Sequence, residues 1–248
     1  MKVLKLCAAL LIAGVLFGAR GWCQVPGGDQ AVINAALLKL FGKTTAFSGA
    51  SDLQMRDKAQ KETLSMTMNF AMLDGKIRAE IDLTKVKTAQ LPAELLPLLK
   101  QVGLDRLVTI VRPDKKATVV IYPGLKAYAE VPMSKEEADA LSKTYKVEKT
   151  RLAAETIDGH ACIKSKVTVS DGNELQESIV WNATDLKDFP IKIELKQAEG
   201  TVVIQYKDIK LSKPDAKQFD TPGGLTRHDD VQAMMQGAMM KLLGGGNK

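Results

Sequence analysis

The chain has 248 residues, of which 45% are hydrophobic and 26% charged, a balance that supports a buried core and excludes wholesale disorder. Its formal net charge is +6, and Lys2, Lys5 and Arg20 supply three of those charges. What remains is too weak, and too evenly spread along the chain, for a nucleic-acid reader, which clusters its basic residues on one face.

The first segment reads as a secretory signal: Lys2 and Lys5, an uncharged apolar run at residues 6–17, then the small residues Gly18, Ala19 and Gly21. The run is too short to span a bilayer, and charges interrupt every later apolar run, so no transmembrane span is expected. Residues 1–23 are expected to be removed, with cleavage between 21 and 24. Trp22 before Cys23 is bulky where a lipoprotein signal wants a small residue, which argues against lipidation. Residues 24–243 are expected to form a single β-rich domain, and 244–248 a flexible glycine-rich tail. Cys7 lies in the signal and Cys23 in the cleavage zone, leaving Cys162 as the one cysteine certain to remain. That excludes a disulfide framework and leaves a Cys23–Cys162 pair open.

Asp29 is placed to cap a helix whose apolar face carries Ile33, Ala36, Leu37, Leu40 and Phe41, with Gly42 as its stop. Beyond Gly42 the hydrophobic period falls from about 3.6 to 2. A strand is expected over 45–56 with Phe47, Leu53 and Met55 inward. In the next, over 62–74, Leu64, Met66, Met68, Phe70 and Met72 face one way and Thr63, Ser65, Thr67 and Asn69 the other. Asp74-Gly75 is a hairpin signal, followed by Ile77, Ala79, Ile81 and Leu83 in alternation with Arg78, Glu80 and Asp82. Pro92 and Pro97 frame a leucine-rich short helix or turn.

Strands are then expected over 107–112, 117–122 and 126–131, with turns at Pro113-Asp114 and Pro123-Gly124. Ser134 caps a charged helix running to about Lys143, with Glu137 at the capping-box position. Five further strands, over 147–153, 162–169, 175–181, 190–195 and 201–209, are joined by turns at Asp158-Gly159, Asp171-Gly172 and Glu199-Gly200. The pattern reads as an α+β protein built on one long antiparallel meander. From Asp229 to Leu243 a final helix carries Val231, Met234, Met235, Ala238 and Leu242 on one stripe, widened by Met239 and Leu243.

Chemistry-bearing motifs are sparse. His160 and His228, the two histidines, lie in different segments, and there is no HExxH, no cysteine pair at metal spacing, no GxxxxGK loop and no GxSxG elbow. No catalytic residue, metal or organic cofactor is therefore expected. His228-Asp229-Asp230 and Glu136-Glu137 read as helix starts, where carboxylates favour the positive end of the dipole. Asn182-Ala183-Thr184 fits a glycosylation sequon, and Asp171-Gly172-Asn173-Glu174 is a turn lacking the other ligands of a calcium loop. The methionines say more. Apart from the initiator they gather on the 62–74 strand, at Met55 and Met133, and on the last helix. Flexible thioethers fill irregular space and suit varied apolar ligands, though a regular stripe of them also serves as plain core. Leu64, Met66, Met68, Phe70, Met72, Met234, Met235, Ala238 and Leu242 are the candidate lining of an apolar ligand site. The strand and helix faces that carry them are expected to meet across one side of the sheet, since neither can stay in water.

Three stretches carry a resemblance: Val111-Arg112-Pro113-Asp114-Lys115 running on to Tyr122-Pro123-Gly124-Leu125-Lys126-Ala127-Tyr128; Asp158-Gly159-His160-Ala161-Cys162; and Trp181-Asn182-Ala183-Thr184-Asp185-Leu186-Lys187-Asp188-Phe189-Pro190-Ile191-Lys192. Together they resemble a family of exported bacterial proteins, itself similar to the lipoprotein-carrier superfamily of LolA and LolB. The resemblance implies a large curved antiparallel sheet, a half-open β-barrel, whose concave face is covered by the N-terminal helix, short helices and the C-terminal amphipathic helix. No site residue carries over. The function expected is that of a periplasmic, non-catalytic binding or carrier protein for an acyl chain, a lipid or the lipid moiety of a lipoprotein. The alternative is a structural or protein-interaction module of the cell envelope with a filled core and an envelope protein as its partner.

Overall fold

The computed structural model describes residues 30–88, 93–172, 175–197 and 200–244. The signal segment 1–23, the Asp29 cap, Pro92, Asn173-Glu174, Glu199 and the tail after Gly244 lie outside the described residues, as do the side chains of Met239, Leu242 and Leu243.

Helix α1 (Gln30–Lys39) is followed by β1 (Ala46–Asp57), β2 (Glu62–Leu73) and β3 (Lys76–Asp82), then a two-residue strand β4 (Lys87–Thr88). Helix α2 (Leu96–Gln101) leads into β5 (Arg106–Arg112), β6 (Ala117–Tyr122) and β7 (Ala127–Pro132). Helix α3 (Lys135–Ser142) precedes β8 (Lys146–Ile157), β9 (His160–Ser170), β10 (Leu175–Ala183), β11 (Phe189–Gln197) and β12 (Gly200–Lys210). A short β13 (Thr226–His228) and helix α4 (Val231–Gly244) close the described chain.

All the strands among the described residues join one open sheet of thirteen, in the order β13-β7-β6-β5-β3-β2-β1-β12-β11-β10-β9-β8, with β4 beside β2. This corrects the single meander in one respect. The chain zigzags outward from β1 to β7, crosses to the far edge through α3, and zigzags back from β8 to β12, which closes on β1. β13 is a further departure, being parallel to β7. The sequence offered no sign of it, because three residues are too few for a period.

Local chemistry explains the joints. Asp74 and Gly75 both take positive φ in the β2–β3 hairpin. At residues 113–116, 123–126 and 184–187 the strands turn through a 3-10 helix that ends on a lysine in the left-handed region, Lys116, Lys126 and Lys187. In α3 the Ser134 hydroxyl accepts from Glu137 N, and the Glu137 carboxylate accepts from Ser134 N, which is the capping box read from the sequence. At α4 the Asp230 carboxylate accepts from Ala233 N at 2.7 Å.

The inner face of the sheet holds the main core, formed by alternate residues of nearly every strand together with α1, α2 and α4. The outer face is covered in two places. Phe219, on a 3-10 turn after β12, packs over Ala71, Val108, Ile110 and Ile121. Further along, Trp181 packs with Cys162, Ala183 and Ile191, its ring flanked by the ammonium groups of Lys164 and Lys192 at 4.9 and 4.4 Å. Edge strand β8 is exposed along most of its length. It carries Lys146, Glu148, Lys149 and Arg151 and a bulge between Arg151 and Ala153, features that blunt an open edge. No helix among the described residues is long and apolar enough to cross a membrane.

Candidate functional site

The candidate lining starts from the two-residue period of β2. Register sets Leu64 opposite Met55, Met66 opposite Leu53, Met68 between Ser51 and Ile81, and Met72 between Phe47 and Ile77. Leu64, Met66, Met68 and Met72 are buried, and Phe70 is half-buried against the same cluster. Met234, Met235 and Ala238 are buried in that cluster too. Leu242 belongs to α4, and its side chain is outside the described set.

The two faces do not sit directly on one another. Helix α4 lies against β7 and β13, at the end of the sheet opposite β8. Three strands, β6, β5 and β3, separate β7 from β2. The shared cluster therefore includes inner residues of those strands, among them Tyr122, Leu107 and Ile81. Sequence patterning assigned the inward faces of β2, β3 and the last helix and left β5 and β6 unassigned, because these short, strongly apolar strands show little alternation.

On the α1 side the inner face is filled by aromatic rings. Phe47 lies 4.9 Å from Phe41, 4.8 Å from Phe189, 5.5 Å from Phe70 and 6.1 Å from Tyr206, centroid to centroid. Such stacked, tilted and edge-on pairs add to the gain from burial alone.

Polar groups also point inward. Burial pushes the Tyr122 phenol up to about 12, with no charged or hydrogen-bonding neighbour contributing, and Tyr206 is raised further for the same reason. Ser51, Thr109, Ser165 and Ser178 are buried in strands. These were missed because an inward hydroxyl is visible only once each strand's faces are assigned.

The outer face holds a further set of candidate groups. His160 Nδ1 lies 2.7 Å from the Asp185 carboxylate, whose hydrogen bond with the imidazole holds its pKa below the usual carboxylate range. Cys162 is near but not poised as a nucleophile. Burial raises its thiol, and its Sγ donates to the His160 backbone carbonyl at 3.3 Å rather than to an imidazole nitrogen. An activated cysteine needs the opposite shift. Among the described residues no group of three or more His, Cys, Asp or Glu is arranged to hold a metal ion.

No family model matches the chain, and no curated protein sequence does. Among solved structures it is similar to the Mycobacterium tuberculosis lipoprotein LppX, at 11% identity and a TM-score of 0.41, over 73% of this chain and 96% of that one. It is also similar to a LolA superfamily protein from Nitrosomonas europaea, at 12% identity and a TM-score of 0.33, over 77% of this chain and 97% of that one. A domain from Vibrio parahaemolyticus named for outer membrane lipoprotein sorting matches at 9% identity and a TM-score of 0.35, over 76% and 94%. Likeness at this level transfers no residue role and no ligand. The sheet itself, large, curved, open and largely antiparallel, with short helices, is of the kind that the resemblance read from the sequence implied.

Proposed function

We propose that this chain is an exported, non-catalytic carrier or binding protein for an apolar, acyl-type ligand, folded as one domain over residues 24–243 and working in the periplasm. The ligand lies between the inner face of the sheet and α4, against Leu64, Met66, Met68, Phe70 and Met72 on β2 and Met234, Met235, Ala238 and Leu242 on α4. The observation that carries the reading is the common burial of two methionine-rich faces under a terminal helix whose principal neighbours are the outermost strands β7 and β13. A helix attached at one margin can lift without breaking the ladder beneath it. Methionines can then repack around a chain of variable shape.

The aromatic cluster around Phe47 favours a second reading, a protein-interaction module with a filled core, since that part of the inner face is closed by interlocking rings. The two readings part on removal of α4. A chain ending at Asp230 is expected to keep a cooperative melt and to take up a hydrophobic dye more strongly than the parent. Native mass spectrometry of the parent, purified from an envelope fraction, is expected to show a bound lipid. Collapse of the truncated chain, with no dye or lipid bound by the parent, would establish the interaction module instead.

A further inference from the structure

Thr109 stands near the middle of β5 on the inner face, level with Ala79 of β3 and Val120 of β6, and Val120 is level with Ala129 of β7. Side chains at one level on adjacent strands stand next to one another. These four residues therefore form a row across four strands in which nothing is longer than valine. The level on one side carries longer groups, Leu107, Ile81 and Met68, and the level on the other carries Met72 and Ile77 on β2 and β3, then Val111, Thr118 and Val131 on β5, β6 and β7. Beyond Ala79 the same level carries Phe70 on β2, and beyond Ala129 it carries His228 on β13, the two strands β7 and β13 being those against which α4 lies.

Thr109 is 1% exposed, and its Oγ1 is the buried side-chain oxygen or nitrogen without a hydrogen-bond partner among the described residues. Two other buried polar side chains of the inner face are paired: the Ser178 hydroxyl donates to the Val167 carbonyl at 3.3 Å, and the Asn182 amide donates to the Asp188 carbonyl at 2.7 Å. An unpaired buried hydroxyl is costly, and valine would occupy the same volume without that cost.

Resting on the carrier reading, we propose that Thr109 is the polar contact of the ligand site, its hydroxyl donating a hydrogen bond to the ester carbonyl of an acyl chain lying along the row of small residues. An ester fits better than a free carboxylate. The residues level with Thr109 on β3, β6 and β7 and those on the two flanking levels named above are uncharged, and His228, the basic side chain on the same level, stands on β13, three strands from β5, so a carboxylate held at Thr109 would lack an adjacent counterion. A neutral carbonyl asks for one donor, which is what Thr109 has to give.

The test uses two probes, a pyrene-tagged acyl methyl ester and the pyrene-tagged alkane of equal length, titrated by fluorescence into the parent, Thr109→Val and Thr109→Ser. The parent is expected to bind the ester about three- to tenfold more tightly than the alkane, the worth of one net hydrogen bond. Thr109→Val should bring that ratio close to one while leaving alkane affinity and melting temperature unchanged or higher, and Thr109→Ser should keep the ratio. An unchanged ratio in Thr109→Val, or a marked fall in its melting temperature showing that the hydroxyl serves the fold through a buried water, overturns the proposal and leaves the carrier reading standing. Failure of the parent to bind either probe overturns both.

Discussion

Nη1 of Arg112 donates to the Asp220 carboxylate at 2.9 Å across 108 positions of sequence, and the same nitrogen donates to the Phe219 carbonyl at 2.9 Å. The rest of the guanidinium grips Asp114, Nε at 2.9 Å and Nη2 at 2.8 Å. One buried arginine thus ties the turn after β5 to the segment that covers the outer face.

Arg112→Met is expected to cost about 1.5–3 kcal/mol, the range for hydrogen bonds to charged groups, because it strands the Phe219 carbonyl and frees the turn that covers Val108, Ile110 and Ile121. Urea denaturation measures it. Arg112→Lys should recover only part of the loss, since an ammonium cannot make the two-pronged contact with Asp114. A change within error for Arg112→Met would show that the covering turn is held by Phe219 alone.

The same pair sets an acid limit. The hydrogen bond from the Arg112 guanidinium holds the Asp114 carboxyl at about 2, below its ordinary 3.8. A depressed carboxylate contributes stability that is complete above the unfolded value and lost as pH falls through the folded one. The window is therefore about pH 3.8 down to 2, and solvent reaching Asp114 keeps the effect modest. Thermal melts of the parent and Asp114→Asn should differ at neutral pH and converge across that window.

Gly124→Ala should destabilise the β6–β7 turn by about 1–3 kcal/mol, as overpacking does. A Cβ on Gly124 would stand 2.6 Å from Gly103 Cα, so the loop before β5 and the turn before β7 would have to part. Denaturant midpoints of the variant and parent decide it. Equal midpoints would mean that the two loops separate freely.

Phe47→Ala and Met68→Glu should fail differently. Phe47 is fully buried among four rings, and its removal is expected to cost about 3–5 kcal/mol. Met68, on the surface proposed to hold the ligand, should lose dye and lipid uptake on conversion to Glu with a smaller fall in melting temperature, because a charge lining an opening site can stay hydrated. Melts and dye titrations of both variants separate the effects. A collapse of Met68→Glu as severe as that of Phe47→Ala would place Met68 in closed core.

The sequence by itself determined the class of the protein and the inward face of its long strands. A period of two over residues 62–72 leaves Leu64, Met66, Met68 and Met72 no stable orientation but inward, and hairpin residues such as Asp74-Gly75 specify their turn through φ alone. Those are local rules, decided within a few residues. Tertiary structure alone decided which strands became neighbours, because pairing depends on backbone groups that every residue shares. Nothing local says that β12 returns to β1, or that the chain crosses to the far edge before β8. The same holds for Arg112, whose partners Phe219 and Asp220 come from a remote segment, and for Thr109. Its hydroxyl reads as an ordinary strand residue until register places Ala79 and Val120 on either side and leaves it without a partner among the described residues.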